Sequence, residues 1–425
     1  MHLLLAEVFD CHYSPLQFFV QKKMGAEGNT ERKLRMLPIT GLLVLLLLAW
    51  TLALPNTFNE KCEKQREIPQ TQPFPCELGP TSPVARSSSP PTSVHQLRPG
   101  DIDVVAAIGD SLTAGTGAVA TSFYDILTLD NRGMSWVAGG QETWRQHLTL
   151  PNILKEFNAN LTGFSLGDGR SHTRNSQFNV AVNGAMDQDL PYEAIELVRR
   201  MRKDRRVNFK KHWKLISVWV GTNDLCSDYC YDPTQGVAAH SRNLQATIDY
   251  LYHNVPRAFV MLVSSPYVPS YAKLRDLPNI CLSTLPILCS CLFGGNEASK
   301  LRNVTLTTRL FQRAEQQLAE SGRYDGREDF TVQFQPTFLD AQFPKYRNSR
   351  GRLTTDYSYL SVDCFHYSQK LHAVAANTIW NNLFEPPWNK TTSWKPAFEK
   401  FLCPTHERPY LVTHKNSKKW QIPNL

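Results

Sequence analysis

The sequence predicts an α/β fold, a parallel β-sheet covered by helices on both faces. Two observations predict it. From Asp101 onward, short β-branched runs alternate with stretches of helical periodicity. The chain is also long enough, at 425 residues with 42% apolar and 20% charged, to bury a large core.

The expected strands are Asp103 to Ile108, Phe178 to Val182, Leu215 to Val220, Phe259 to Val263 and Phe330 to Phe334. Helices are expected over Pro191 to Asp204, with Ile195, Val198 and Met201 inward, and over Gly236 to His253, with Leu244, Ile248 and Leu251 on one face. Two more are expected over Leu301 to Ser321 and from about Asp363 to Phe384, the last turning Leu371, Val374, Ala375 and Ile379 inward.

Around this domain, taken as residues 100–387, the composition changes. Residues 37–54 are almost wholly apolar and follow Arg32, Lys33 and Arg35, the pattern of a membrane-targeting segment. Three readings stay open: a cleaved signal peptide, an uncleaved anchor with residues 1–36 as a cytosolic tail, or initiation at Met24 or Met36 so that the tail is never made. All three send the rest to the secretory pathway, to the lumen, the outer face of the plasma membrane or secretion. Residues 55–99, rich in Pro, Ser, Thr and Gln, read as a linker, and residues 388–425 as a polar tail.

Ten cysteines and three acceptor triplets, at Asn160, Asn303 and Asn389, fit that compartment. Cys226, Cys230 and the Cys281, Cys289, Cys291 cluster lack metal-site spacing and read as disulfide partners of undetermined connectivity. Nothing points to a metal or an organic cofactor. The net charge of +8 comes without a zinc finger, RNA-recognition signature or basic heptad, so no nucleic-acid partner is expected. The basic stretch Arg199, Arg200, Arg202, Lys203, Arg205, Arg206, Lys210 and Lys211 reads as a solvated helix end, with attraction to a membrane surface as the alternative.

Three strand ends carry the chemistry. Gly109-Asp110-Ser111 follows the first, Asn183-Gly184 the second and Gly221-Thr222-Asn223-Asp224 the third. Reacting groups of an open parallel sheet gather at the carboxyl ends of its strands. A serine there can act as a nucleophile, and the amides of Ser111 and Gly184 with the Asn223 side chain can hold an oxyanion. Singly, each is also an ordinary turn or cap. Among twelve histidines, His366 stands three residues after Asp363, so the carboxylate can fix the tautomer of a general base that faces Ser111. Cys364, between them, reads as half of a disulfide.

These blocks, in this order, resemble the GDSL or SGNH hydrolases, whose named letters correspond to Ser111, Gly184, Asn223 and His366. The runs Ala106 to Gly115, Val218 to Cys226 and Asp363 to Ser368 are more closely similar to the repeat unit of animal membrane-associated phospholipase B, over about Leu97 to Pro387. The resemblance implies a three-layer α/β/α sandwich with a flavodoxin-like parallel sheet of five strands. It also implies calcium-independent release of fatty acids from glycerophospholipids and lysophospholipids through an acyl-enzyme, and an apical membrane location. The chain departs from the family pattern in carrying one unit and a polar end at Lys418-Lys419-Trp420, where the family has tandem repeats and an anchor.

The apolar stretch Leu277 to Phe293, with Leu282, Leu285, Ile287 and Leu288, is expected as a loop that either borders an acyl groove or covers the core. Two other functions compete: an esterase of acetylated sugars or small esters, and a catalytically weak lumenal lipid-binding module.

Overall fold

The computed structural model describes residues 63–295 and 297–420; the targeting segment, Met24, Met36, Cys11 and Cys62 lie outside them. Four parallel strands, β1 (Ile102–Gly109), β2 (Trp213–Trp219), β3 (Ala258–Val263) and β4 (Phe330–Gln335), pair in that order. Residues 178–182 run beside β1 and exchange backbone hydrogen bonds with it: Ala107 N to Phe178 O at 3.0 Å, Val180 N to Ala107 O at 3.0 Å and Val182 N to Gly109 O at 2.9 Å. They form a single bridge with β1, Ala107 to Asn179, rather than the full strand expected. Counting this edge, chain order across the sheet is 2-1-3-4-5, the flavodoxin-like arrangement.

The helices used below are α1 (Ser111–Ala114), α2 (Phe123–Thr128), α3 (Leu190–Lys203), α4 (Thr222–Ser227), α5 (Pro233–Asn254), α6 (Asn279–Leu288), α7 (Glu297–Glu320) and α8 (Gln369–Asn382). Strand side chains alternate between two cores, as the two-residue period requires. Val104, Ala106 and Ile108 join Leu197 and Val198 of α3 and Ile248 and Leu251 of α5 on one face. Val105 and Ala107 join Trp136, Trp219, Phe338 and, from α8, Leu371 and Trp380 on the other. The result is a three-layer α/β/α sandwich.

Two local expectations fail. Ile195 is 48% exposed, because the buried stripe of α3 is Leu190, Glu193, Ala194, Leu197, Val198 and Met201. The last helix starts at Gln369, not Asp363: Ser368 caps it by accepting from the Leu371 amide, and Cys364 takes a left-handed conformation (φ 61°) that no helix tolerates.

The flanks also differ from expectation. Residues 63–99 are no free linker: Phe74 packs edge-on against Trp144, Phe157 and Phe401, and Val94 and Leu97 are buried. Nor is the carboxyl end a free tail. Leu411 N donates to Leu97 O at 2.8 Å, Asn416 Nδ2 to His95 O at 2.9 Å, and a Cys76–Cys403 disulfide closes the two flanks on each other. A few single anchors hold segments whose composition reads as a linker and a tail. Replacing Cys76 and Cys403 by Ala is expected to lower the free energy of unfolding by about 2–4 kcal/mol, read from urea transitions; an unchanged midpoint would show that the flanks are accessory.

Candidate active site

The site stands at the carboxyl edge of the sheet. Gly109 ends β1 with φ 156°, and a Cβ there would lie 2.2 Å from Trp219 O, so only glycine lets β1 and β2 close up at this point. Asp110 then caps α1, its Oδ1 accepting from Leu112 N at 2.9 Å, and Ser111 becomes the first helical residue. Burial pushes the Asp110 carboxyl up to about 6. Among the described residues, no acceptor engages the Ser111 amide.

The structure brings Ser111, His366 and Asp363 into one hydrogen-bonded chain. His366 Nε2 lies 2.9 Å from Ser111 Oγ, and His366 Nδ1 lies 2.5 Å from Asp363 Oδ2. The other oxygen, Asp363 Oδ1, accepts from the amides of Phe365 (3.1 Å) and His366 (3.0 Å). All three side chains are buried. Burial alone would lower the His366 pKa, but the charge and hydrogen bond of Asp363, helped by Asp110 and Asp130, hold it above its usual 6.5. Asp363 is correspondingly held below the ordinary carboxylate value: burial opposes this, and His366 and the two amides overcome it. Geometry selects this histidine. The nearby His372 is instead an acceptor for Trp136 N at 3.2 Å, and burial lowers it to about 3, which keeps it neutral.

The Asp363–His366 loop is a turn, not a helix face, and it is pinned from outside. Cys364 is bonded to Cys281 of α6, Thr284 Oγ1 donates to Asp363 O at 2.8 Å, and Tyr271 OH donates to Phe365 O at 2.6 Å. Cys364 is thus half of a disulfide and offers no free thiol beside His366.

Gly184 lies on the loop after residues 178–182, and Asn223 lies in the first turn of α4 close to it. Asn223 Nδ2 donates to Ala185 O at 2.8 Å, which leaves its second N–H uncommitted among the described residues. Gly184 has φ 80°, and a Cβ on it would meet nothing within 4 Å, so its position is exposed and demands glycine by conformation. Its amide, too, has no described acceptor.

Sequence reasoning missed a buried polar network behind these two residues. Asp187 N donates to Asp224 Oδ1 at 3.1 Å, and Asn243 Nδ2 to Asp187 Oδ1 at 2.6 Å. His240 stands between Asp187 (Nδ1 to Oδ2, 3.4 Å) and Glu315 (Nε2 to Oε1, 3.1 Å), and Glu315 accepts from Ser265 N at 2.9 Å. Burial acts against a charged His240, but the carboxylates of Asp187 and Glu315 at its two ring nitrogens raise it to about 9; burial and the Asp187 charge push Asp224 up to about 8. One signal was available. His240 shares the inward stripe of α5 with Leu244, Ile248 and Leu251, where a histidine needs partners. Glu193, whose buried carboxyl accepts from Gly109 N at 2.8 Å, had the same signature on α3.

The Leu277 to Phe293 stretch forms α6 and a further turn, Ser290–Phe293. Leu285 is buried in the core, so that part of the stretch covers the interior rather than bordering a groove. Disulfides Cys226–Cys289 and Cys230–Cys291 tie it to α4 and the turn that follows. Of the acceptor asparagines, Asn160 and Asn389 are exposed, whereas Asn303 lies within α7 and donates to Cys230 O at 3.0 Å. Among the described residues no cluster of three His, Cys, Asp or Glu side chains is arranged to hold a metal ion.

Membrane-associated phospholipase B1 of Mus musculus is 42% identical to this chain over 340 residues, and that of Homo sapiens 42% over 346; the rat protein is 40% identical over 337. Each alignment covers 78% of this chain but only 23% of the relative, so the chain spans about a quarter of their length. Residues 105–379, which carry every strand-end motif described above, match the GDSL-like lipases and acylhydrolases, and the chain belongs to that family.

Proposed function

We propose that this chain is a serine ester hydrolase that releases fatty acids from glycerophospholipids and lysophospholipids, without a metal ion, in the secretory pathway or outside the cell. The unbroken Asp363–His366–Ser111 hydrogen-bond chain carries the reading. The similarity to phospholipase B1 proteins supports the substrate class, and four disulfides support the compartment.

In this reading Ser111 Oγ attacks the ester carbonyl while its proton passes to His366 Nε2. Asp363 keeps the other ring proton on Nδ1 and stabilises the imidazolium. The carbonyl oxygen becomes an oxyanion, held by the amides of Ser111 and Gly184 and by Asn223 Nδ2. Collapse expels the alcohol or lysolipid, which takes the proton from His366, and leaves an acyl group on Ser111. Water then repeats the sequence and frees the fatty acid.

Fatty-acid release from phosphatidylcholine and lysophosphatidylcholine in chelator tests this directly. Release by the wild type and none by Ser111→Ala is expected; release of acetate from acetylated sugars, with none from either lipid, would replace the substrate class. Because only neutral His366 can take the proton, kcat/KM should rise with pH through an apparent pKa above 6.5. Asp363→Asn should lower kcat by roughly 10³–10⁴-fold and move that limb to lower pH, since the raising charge is gone; a profile that does not move would remove Asp363 from its role. For the acceptor sites, Asn160→Gln and Asn389→Gln should each remove one glycan by mass, and Asn303→Gln none.

A further inference from the structure

Surface helices ordinarily turn charge toward water. α6 does not: from Asn279 to Phe293 there is no Asp, Glu, Lys or Arg. Its inner face, Cys281, Thr284 and Leu285, is buried, while Leu282 is 58% and Ile287 77% exposed on the outer face. The helix cannot drift from the catalytic edge, because Cys281 is bonded to Cys364 and Thr284 to the Asp363 carbonyl.

A second apolar element stands beside His366. α2 exposes Tyr124 (68%) and Leu127 (59%), and Leu129 follows it. Its Ile126 joins Ala120 and Val362 in a small buried cluster separate from both main cores. Gly117 fixes the position: a Cβ there would lie 2.6 Å from Ile126 Cδ1 and 3.2 Å from His366 Cβ. Val182, also exposed, lies at the same edge through its bond to Gly109 O.

Cations flank these side chains. Lys273 and Arg275 are exposed just before α6 and their charges, after burial, help depress the Lys345 pKa; the intervening Asp276 is neutralised by Arg352. Arg170 donates to Leu127 O at the end of α2, and its charge is shared with buried Asp130, 3.4 Å away. Apolar side chains projecting from a rigid edge, with cations at their margins, match a phospholipid surface, in which acyl chains lie beneath phosphates. The other basic region does not compete. Lys211 and His212 precede the amino end of β2, whereas Ser111 follows the carboxyl end of β1, so that region points away from the site.

We propose that the outer faces of α2 and α6 form an interfacial docking surface that seats the catalytic edge on a phospholipid aggregate. The proposal rests on the phospholipid reading of Ser111 for its substrate.

The test uses the full chain and the triple variant Leu127→Asp, Leu282→Asp, Ile287→Asp. Hydrolysis of long-chain phosphatidylcholine vesicles should fall at least tenfold, while hydrolysis of dihexanoyl-phosphatidylcholine below its micelle concentration stays within twofold. In the Ser111→Ala background, flotation with the same vesicles should fall at least tenfold. Equal losses on both substrates, or unchanged vesicle hydrolysis and flotation, would overturn the proposal. So would conversion of a dimer to a monomer in place of lost flotation, which would assign the surface to a second copy. Flotation that depends on the three side chains, with no fatty acid released by the wild type, would support the surface and sink the hydrolase reading alone. Should the triple variant not fold, Ile287→Asp by itself keeps the comparison.

Discussion

Asp363 has no exposure to water, and a carboxylate so placed is costly unless its charge is met in full. Two amides and the His366 ring meet it, and the same ring reaches Ser111 with its other nitrogen. Everything nearby serves to keep that contact at hydrogen-bond length. The disulfide to α6, the Thr284 hydroxyl and the Tyr271 hydroxyl hold the loop by its backbone, leaving both functional side chains free to face inward. The proposed proton relay needs rigidity of this kind, because misplacement by about 1 Å can cost 10²-fold in rate.

The sheet supplies the other half of the arrangement. β1, β2 and the edge at 178–182 deliver Ser111, Asn223 and Gly184 to one edge because their strands are parallel and in register. Behind the second and third of these, His240 is clamped between Asp187 and Glu315, which links the Gly184 loop through α5 and α7 to the end of β3. With His240 raised to about 9 between two carboxylates and Asp224 raised to about 8, three acidic groups share the interior with less mutual repulsion than three full charges would bring.

Much of this was legible in the sequence, for identifiable reasons. Strand periodicity and the small residues at strand ends survive as local signals, so β1 to β4 and the placement of Ser111, Gly184 and Asn223 could be read directly. Asp363 and His366 could be paired by spacing, although the helix invoked for them is a turn, since a left-handed Cys364 cannot be seen from residue order. What stayed hidden is non-local. Disulfide connectivity, the packing of residues 63–99 against the carboxyl end and the partners of His240 depend on contacts separated by tens to hundreds of residues, such as Cys76 with Cys403. Ile195 was misplaced because Glu193, a charged residue, occupies the buried stripe in its stead.

The most direct measurement is covalent labelling of the folded full chain with a fluorophosphonate, followed by peptide mapping. A nucleophile activated by His366 predicts one adduct, on Ser111, and none in His366→Ala. A folded protein that takes no label at Ser111, or takes it elsewhere, would contradict the account.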